Sequence, residues 1–400
     1  MSVALPSARL GDPGAALSVA DRSPQAPTIG LVGTYPPTKC GIASFTASLG
    51  RALATCDTAV GVIRCVDRPS PSASPVEVVA ELVRGSSASR SQAARALDRF
   101  DVVVLQHEFG IYGGTDGAEV LDLVSRSDVP LVVVLHTVLE RPSWRQRHVF
   151  ERLVDRADAV VAQSLAACRL LTSVYGVDPL RVEVIPHGAR PNLGPSLPSV
   201  GNGAPTVITW GLIGPGKGIE LGIEAMALLE DLVPQPRYLV LGQTHPKLVA
   251  AHGESYREQL VELARVLGVC DRVEFDDRYH DTQSLLGRIR ASDVVLLPYR
   301  SREQVVSGVL VEAIASGKPV VATGFPHAVE VLADGSGLIV PHDDAAAIAA
   351  GLRALTEEPA ALLARAAARR QAPTVYWENV ARSYRSLASA LASSVSRAAG

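Results

Sequence analysis

Aromatic residues are scarce in this chain, 4% of 400 residues, and no apolar run is long. With 47% hydrophobic residues overall, its cores must be filled by Val, Leu, Ala and Ile, the filling of parallel sheets covered by helices rather than of a β-sandwich. Runs such as Val102–Leu105 and Pro130–Leu135 have the length of buried strands and fall far short of a bilayer span, which excludes an integral membrane protein. Cysteine is sparse and unpatterned. Cys40, Cys56, Cys65, Cys168 and Cys270 show neither a CxxC pair nor zinc-ligand spacing, so the expectation is a reducing cytoplasm and no structural metal. A net charge of −3 excludes a surface given over to nucleic acid, which needs a strong cationic excess.

What is present points to two domains, because 400 residues exceed what one core serves. Residues 1–27 are rich in Ala, Ser, Pro and Gly and lack the apolar stretch of a signal peptide, so they read as a disordered leader. From Thr28, apolar runs alternate with helix-period segments: Ile29–Val32, Asp101–Leu105, Leu131–Leu135 and Ala159–Ala162 as strands, Ser44–Leu53 and Arg145–Arg156 as helices. A Pro/Gly/Ser-rich stretch, Gly188–Pro205, interrupts the pattern. It restarts with Thr206–Trp210, Tyr238–Leu241, Arg272–Phe275, Val294–Leu297, Pro319–Ala322 and Gly337–Val340. The expected fold class is α/β, with two doubly wound Rossmann-like domains facing across a cleft. The boundaries are 28–190, a linker at 191–205, 206–372, and a last helix within 373–400. Ligands of open α/β sheets sit at the carboxyl ends of the strands, so each domain can hold one substrate there.

The segment WGLIGPGKG, residues 210–218, follows a strand and precedes a helix, a place where backbone amides bind phosphate. Gly211, Gly216 and Lys217 nearly satisfy the Walker A spacing, but Gly218 stands where a hydroxyl should hold Mg²⁺, which argues against a P-loop NTPase. Lys217 is one of only four lysines, with Lys39, Lys247 and Lys318, in a chain that otherwise uses Arg; an exposed lysine after a turn is the bland alternative. In QVVSGVLVE, Gln304–Glu312, the small residues Ser307 and Gly308 let amides approach an anion at a helix start, and Glu312 can accept two ribose hydroxyls. A helix with a buried glycine turn explains that pattern equally well. His136 ends a buried strand, as do His107 and Glu108 in LQHEFGIYGG, whose glycines suggest a loop closing over a ligand; a structural histidine is the competing reading. GTYPPTKCGIASF, with Lys39 and Gly41, joins the first strand to the first helix and either meets a ligand or merely turns. Arg141, Arg145, Arg147, Arg152 and Arg156 with Trp144 form either a solvated helix face or a surface that meets an anionic acceptor or makes a peripheral contact at the inner membrane face.

Taken in order, GTYPPTKCGIASF, HTVL, VEVIPHG, WGLIGPGKGIE, QVVSGVLVEAIASGKPVVAT, GLIVPHDD and YWENVARSY resemble the retaining glycosyltransferases of family four, of the GT-B fold, from Thr28 to Arg385. The resemblance implies transfer of a hexosyl group, mannosyl or glucosyl, from a UDP- or GDP-linked sugar to a carbohydrate, lipid-linked or small-molecule acceptor, with no cofactor and no obligatory metal. It implies that Lys217 contacts the donor diphosphate, with Gly41, Gly211, Gly216 and the amides of Ser307, Gly308 and Val309, and that Glu312 holds the ribose. His136 would contact the transferred sugar. Lys39, His107, Glu108 and Tyr112 are the acceptor-side candidates, and the helix from Tyr376 would cross back onto the N-terminal domain. The absence of any Asp-x-Asp agrees with a metal-free donor site, since Asp276–Asp277 and Asp343–Asp344 are adjacent pairs.

Two departures stand out. The family's Glu-x₇-Glu begins here with Gln304, which can hydrogen-bond a hydroxyl but brings no charge, and Glu303 next door is the substitute. The loop Gly211–Gly216 has no arginine beside Lys217. Both features keep open a non-catalytic nucleotide-sugar-binding protein, and the same fold would serve an epimerase or a phosphorylase.

Overall fold

The computed structural model describes residues 26–69, 77–194, 203–278 and 280–399; residues 1–25 of the expected leader and 195–202 of the expected linker lie outside them. The N-terminal domain begins β1 (Ile29–Gly33), α1 (Gly41–Ala54), β2 (Val60–Val66), β3 (Val78–Val83), α2 (Ser87–Leu97) and β4 (Val102–His107). It continues α3 (Glu119–Val124), β5 (Leu131–Leu135), α4 (Trp144–Arg156), β6 (Ala159–Ala162), α5 (Leu165–Tyr175) and β7 (Val182–Val184). The C-terminal domain begins β8 (Thr206–Trp210), α6 (Ile219–Ala227), β9 (Arg237–Leu241), α7 (Pro246–His252), α8 (Ser255–Val266) and β10 (Val273–Asp276). Then come α9 (Thr282–Ala291), β11 (Val294–Leu297), α10 (Gly308–Ala315), β12 (Val320–Thr323), α11 (Pro326–Val331) and β13 (Gly337–Val340). Three helices close the chain: α12 (Ala345–Thr356), α13 (Ala360–Gln371) and α14 (Trp377–Ala399).

Both sheets are parallel, in the orders β3-β2-β1-β4-β5-β6-β7 and β10-β9-β8-β11-β12-β13. Helices cover both faces, so β1, β4, β5 and β6 are buried at every residue, which is why they read as unbroken apolar runs. The strands β2, β3 and β7 were not among those read from sequence, and β2 and β3 each carry a buried or half-buried charge. Arg64 of β2, 2% exposed, pairs with Glu81 of β3, and mutual neutralisation makes its burial tolerable. Side-chain caps set the helix starts: Cys40 before α1, Ser143 in a reciprocal capping box with Gln146 before α4, and Ser164 before α5.

In each sheet the winding reverses beside the first strand, between β1 and β4 and between β8 and β11. Loops leaving such neighbours diverge and open a crevice at the strand carboxyl ends. The expected linker does not begin as a free segment. Ala189 bonds to Val375 O at 2.7 Å and bridges Tyr376, while the buried Asn192 donates to Leu286 O and Ser316 Oγ, both at 3.0 Å. The last helix lies on the N-terminal domain, where Trp377, Val380, Ala381, Tyr384 and Ala388 share a core with Ile29, Leu31 and Phe45. Among the described residues, no helix is long and apolar enough to cross a membrane.

Candidate active site

The loop after β8 is fixed by its own backbone. Ile213 N–H donates to Gln243 O and His245 N–H to Ile213 O, both at 2.9 Å, which stitches it to the segment after β9. Residues Pro215–Lys217 form one tight turn ended by Gly218 at φ 62°, where a Cβ would sit 2.0 Å from Pro298 O, so only glycine fits. Lys217 then lays its ammonium 4.0 Å from the centre of the Tyr299 ring, a cation–π contact at the edge of a 560 Å³ cavity. Gly214 and Gly216 line the same cavity with nothing within 4 Å of a Cβ, and Gln304, from the segment after β11, completes that wall.

At the start of α10 the amides divide. Ser307 N–H is already taken by His327 Nδ1 at 2.9 Å, and Leu310 N–H by the Ser307 hydroxyl at 3.3 Å. The expectation that Ser307 offers its amide to a ligand is therefore corrected, because it positions the turn instead. Gly308 and Val309 keep amides without a protein acceptor among the described residues, as the first turn of a helix must unless capped. Glu312, one turn further, accepts from the Trp210 indole at 2.8 Å, next to Gly211; burial pushes its carboxyl up, and the indole bond partly opposes that.

On the N-terminal side, His136 lies between two buried glutamines. Gln163 Nε2 donates to its Nδ1 at 3.1 Å, so Nε2 carries the proton and meets Gln106 Oε1 at 2.8 Å. Both ring nitrogens are thus engaged, and burial, with His187 and His107 nearby, holds the imidazole neutral with its pKa down to about 3. His187, from VEVIPHG, turns its Nδ1 to Gly188 O at 2.8 Å and its Nε2 toward Gly308, whose added Cβ would meet that nitrogen at 3.2 Å. Phe45 stacks edge-on against His136, His187 and Trp377, with centroids 4.8–5.0 Å away, and so joins α1 to both strand ends and to α14. Gly41 opens α1 with nothing within 4 Å of a Cβ, and Lys39 precedes it, exposed.

Other candidates are not brought to this place. Tyr112 is 3% exposed, in the core, with its hydroxyl on Gln106 O at 2.6 Å, and His107 is equally buried between Phe109 and Phe150. Both are corrected to core residues. The glycine loop after β4 is anchored rather than poised, since Gly113 lies against the Glu119 carboxylate and Arg84 bonds Gly110 O. Glu108 remains at the β4 end, half-buried, accepting from Thr137 of the next strand loop. Glu303 does not stand in for Gln304: it lines a separate 210 Å³ hollow with Glu140, Arg169 and Arg302. Along α4, Arg147 pairs with Glu151 and Arg156 bonds Ser127 O, leaving Arg141, Arg145 and Arg152 exposed with Trp144.

The residues that sequence reading missed come from α11. His327 holds the α10 amide, and Glu330, one turn on, spans the domains: its two oxygens accept from Leu165 and Ala166 N–H, each at 2.8 Å, at the start of α5. Ser164 adds a bond to Val305 O at 2.7 Å. Nothing local in PHAVEV signals this, because the partners are 164 and 165 residues away.

Known proteins resemble both domains of the chain. The family profile described as Glycosyltransferase Family 4 matches residues 40–193, and that of Glycosyl transferases group 1 matches residues 199–373. A D-inositol 3-phosphate glycosyltransferase of Jonesia denitrificans is 30% identical over 323 residues, 73% of this chain and 72% of that protein. The protein of the same name from Geodermatophilus obscurus is 32% identical over 280 residues, 63% of this chain, and the chain spans 59% of its length. Among solved structures, a glycosyltransferase of Rickettsia africae superposes with a TM-score of 0.71 at 15% identity, covering 91% of this chain and 98% of that one. HepE of Anabaena in complex with UDP superposes with a TM-score of 0.70 at 18% identity, covering 91% and 100%. The paired α/β domains are thus those of GT-B proteins, and with both profiles matched in succession the chain belongs to glycosyltransferase family 4, the group 1 glycosyltransferases.

Proposed function

We propose that this protein is a retaining glycosyltransferase that moves a hexosyl group, glucosyl or mannosyl, from a nucleoside diphosphate sugar to an acceptor hydroxyl. The observation that carries this reading is that Lys217, in the loop after β8, and Glu312 with the Gly308 and Val309 amides, unpartnered among the described residues, after β11, all follow the carboxyl ends of neighbouring strands, with Glu312 bonded to Trp210 at the end of β8. The ammonium and the amides suit a leaving diphosphate, whose negative charge grows as the bond from the anomeric carbon to the phosphate oxygen breaks. Glu312 suits the ribose hydroxyls. The acceptor oxygen bonds the anomeric carbon on the face the diphosphate leaves, and its proton passes to the departing phosphate oxygen. Configuration is retained and no protein base is needed, which accords with a His136 whose nitrogens are both occupied. Its relatives at 30–32% identity are named for D-inositol 3-phosphate, and HepE was solved with UDP-glucose, which supports a UDP-linked donor and a small polar acceptor.

The test is thermal denaturation of the protein with UDP, GDP and ADP and their sugar conjugates, since a ligand of the folded state raises Tm. One nucleotide family should shift Tm selectively, and Lys217→Ala should weaken its binding by about 1.5–3 kcal/mol, the scale of a charged hydrogen bond. A flat response to every nucleotide would remove the donor site. Lys217 and the α10 amides supply the positive charge a metal would otherwise bring, so turnover should survive EDTA. Activity lost to EDTA and restored by Mg²⁺ would contradict this.

One observation favours a second reading, binding without turnover. Gln304 spends its amide on Val306 O at 2.9 Å and brings no carboxylate to the sugar. Tight nucleotide binding without release of nucleoside diphosphate across acceptors would establish it.

A further inference from the structure

We infer that Lys247 of α7 supplies the second cation of this site, so that a phosphoryl group is gripped between Lys217 and Lys247. The inference rests on the proposed function and adds a residue to it. Both side chains line the 560 Å³ cavity, together with His245 and His252, and no aspartate or glutamate lines it. A cavity with four basic side chains and no acid selects an anion. Leu212, in the loop that lacks an arginine, lines the same cavity.

The nearby arginines are already neutralised. Arg300, whose N–H bonds Gly216 O, gives its guanidinium to Glu220 at 2.8 Å and to Asp343 at 3.3 Å. Arg257 of α8 is turned to Gly242 O and Glu254. Lys318 is buried with its ammonium on Arg290 O and Ser292 O, at 2.8 and 2.6 Å. Lys217 rests on a ring face, and Lys247, exposed, has no acidic partner among the described residues. Two unneutralised ammonium groups therefore face one space.

The position of Lys247 is not left to a loose loop. The bonds between Ile213 and the chain at Gln243 and His245 tie the two segments together, and Lys247 N–H bonds His245 Nδ1 at 3.2 Å. A chain that uses lysine four times against 38 basic residues in all places two of them here. A compact ammonium with three rotatable donors can follow a phosphate through a reaction in which its charge changes, where a rigid guanidinium would demand one geometry.

The phosphoryl group belongs either to the donor diphosphate or to a phosphorylated acceptor, and calorimetric titration separates the two. UDP, GDP, uridine and guanosine are titrated into the wild type and into Lys217→Ala, Lys247→Ala, Lys247→Arg and Lys247→Glu. Glucose 6-phosphate and inositol phosphate are titrated with and without saturating nucleotide. Since the Lys247 side chain has no hydrogen-bond or ion-pair partner among the described residues, the variants should melt with the wild type. Lys247→Ala should weaken nucleoside diphosphate binding by about ten- to a hundredfold and leave the nucleoside unaffected, Arg should restore much of it, and Glu should lower it further. A loss confined to the sugar phosphates would support the grip and assign the phosphate to the acceptor. Lys247→Ala binding every phosphate like the wild type, while Lys217→Ala loses the nucleotide, would overturn this inference alone. Absence of any phosphate-dependent binding to the wild type would overturn the donor site as well.

Discussion

Taking the protein from pH 7 to pH 5 should remove several kcal/mol of stability, because four histidines are folded without a proton that water would give them. Burial is the first cause at each: His107, His187 and His327 are lowered to about 4, and His136 to about 3. Above the ordinary value of 6.5 both folded and unfolded chains hold these rings neutral. Below it the unfolded chain takes up protons that the folded one refuses, so stability falls with pH until the folded values near 4 are reached. At pH 5 the cost is about 2 kcal/mol per histidine, and the sum rivals the total stability of an ordinary domain. Carboxylates such as Asp276, which the Arg278 guanidinium holds well below its usual range, add their losses only at lower pH. Denaturant unfolding at pH 7, 6 and 5 measures this directly. Midpoints that stay level across that interval would show the rings to be open to water. Donor binding should fail only as the pH drops to about 4, where folded His327 takes its proton and turns a donor toward Ser307 N–H.

Cutting Glu330 to alanine should lower turnover tenfold or more while each domain stays folded. Its carboxylate accepts two amides at the positive end of α5 in the other domain, and each bond to a charged group is worth about 1.5–3 kcal/mol. Through His327 the same short helix sets the turn that leaves the Gly308 and Val309 amides free. Releasing the grip should therefore disfavour the arrangement that brings His136 and Gly308 to one crevice. Small-angle scattering should show a larger radius of gyration for Glu330→Ala, with kcat reduced more than donor affinity, and Glu330→Gln should fall between. An unchanged radius with unchanged turnover would make the contact incidental.

Strands such as β1 and β5, buried on both faces, were legible as unbroken apolar runs, whereas β2 and β3 hold Arg64 and Glu81, which neutralise each other inside. The loop around Lys217 was legible because a tight turn between strand and helix leaves glycines at fixed places, and Gly218 proves to be required sterically. A histidine at a strand end was less informative. His107 and His136 end neighbouring strands one residue out of register, His107 lying opposite Leu135, so their side chains leave opposite faces of the sheet: one enters an aromatic core and the other meets two glutamines. The adjacent Glu303 and Gln304 face different hollows, which no spacing rule separates. The grip of α11 depends on α5, more than 160 residues away, and so left no local pattern.

The chain crosses between domains twice, side by side, at Ala189 and at Tyr376, and its last helix completes the core around Ile29 and Phe45. During synthesis, then, the first domain to leave the ribosome is the last to be finished. The β1 face must wait for Trp377, Val380 and Tyr384 while the whole C-terminal domain is made and folds. Loss of the final two dozen residues would strike the domain encoded at the opposite end of the message.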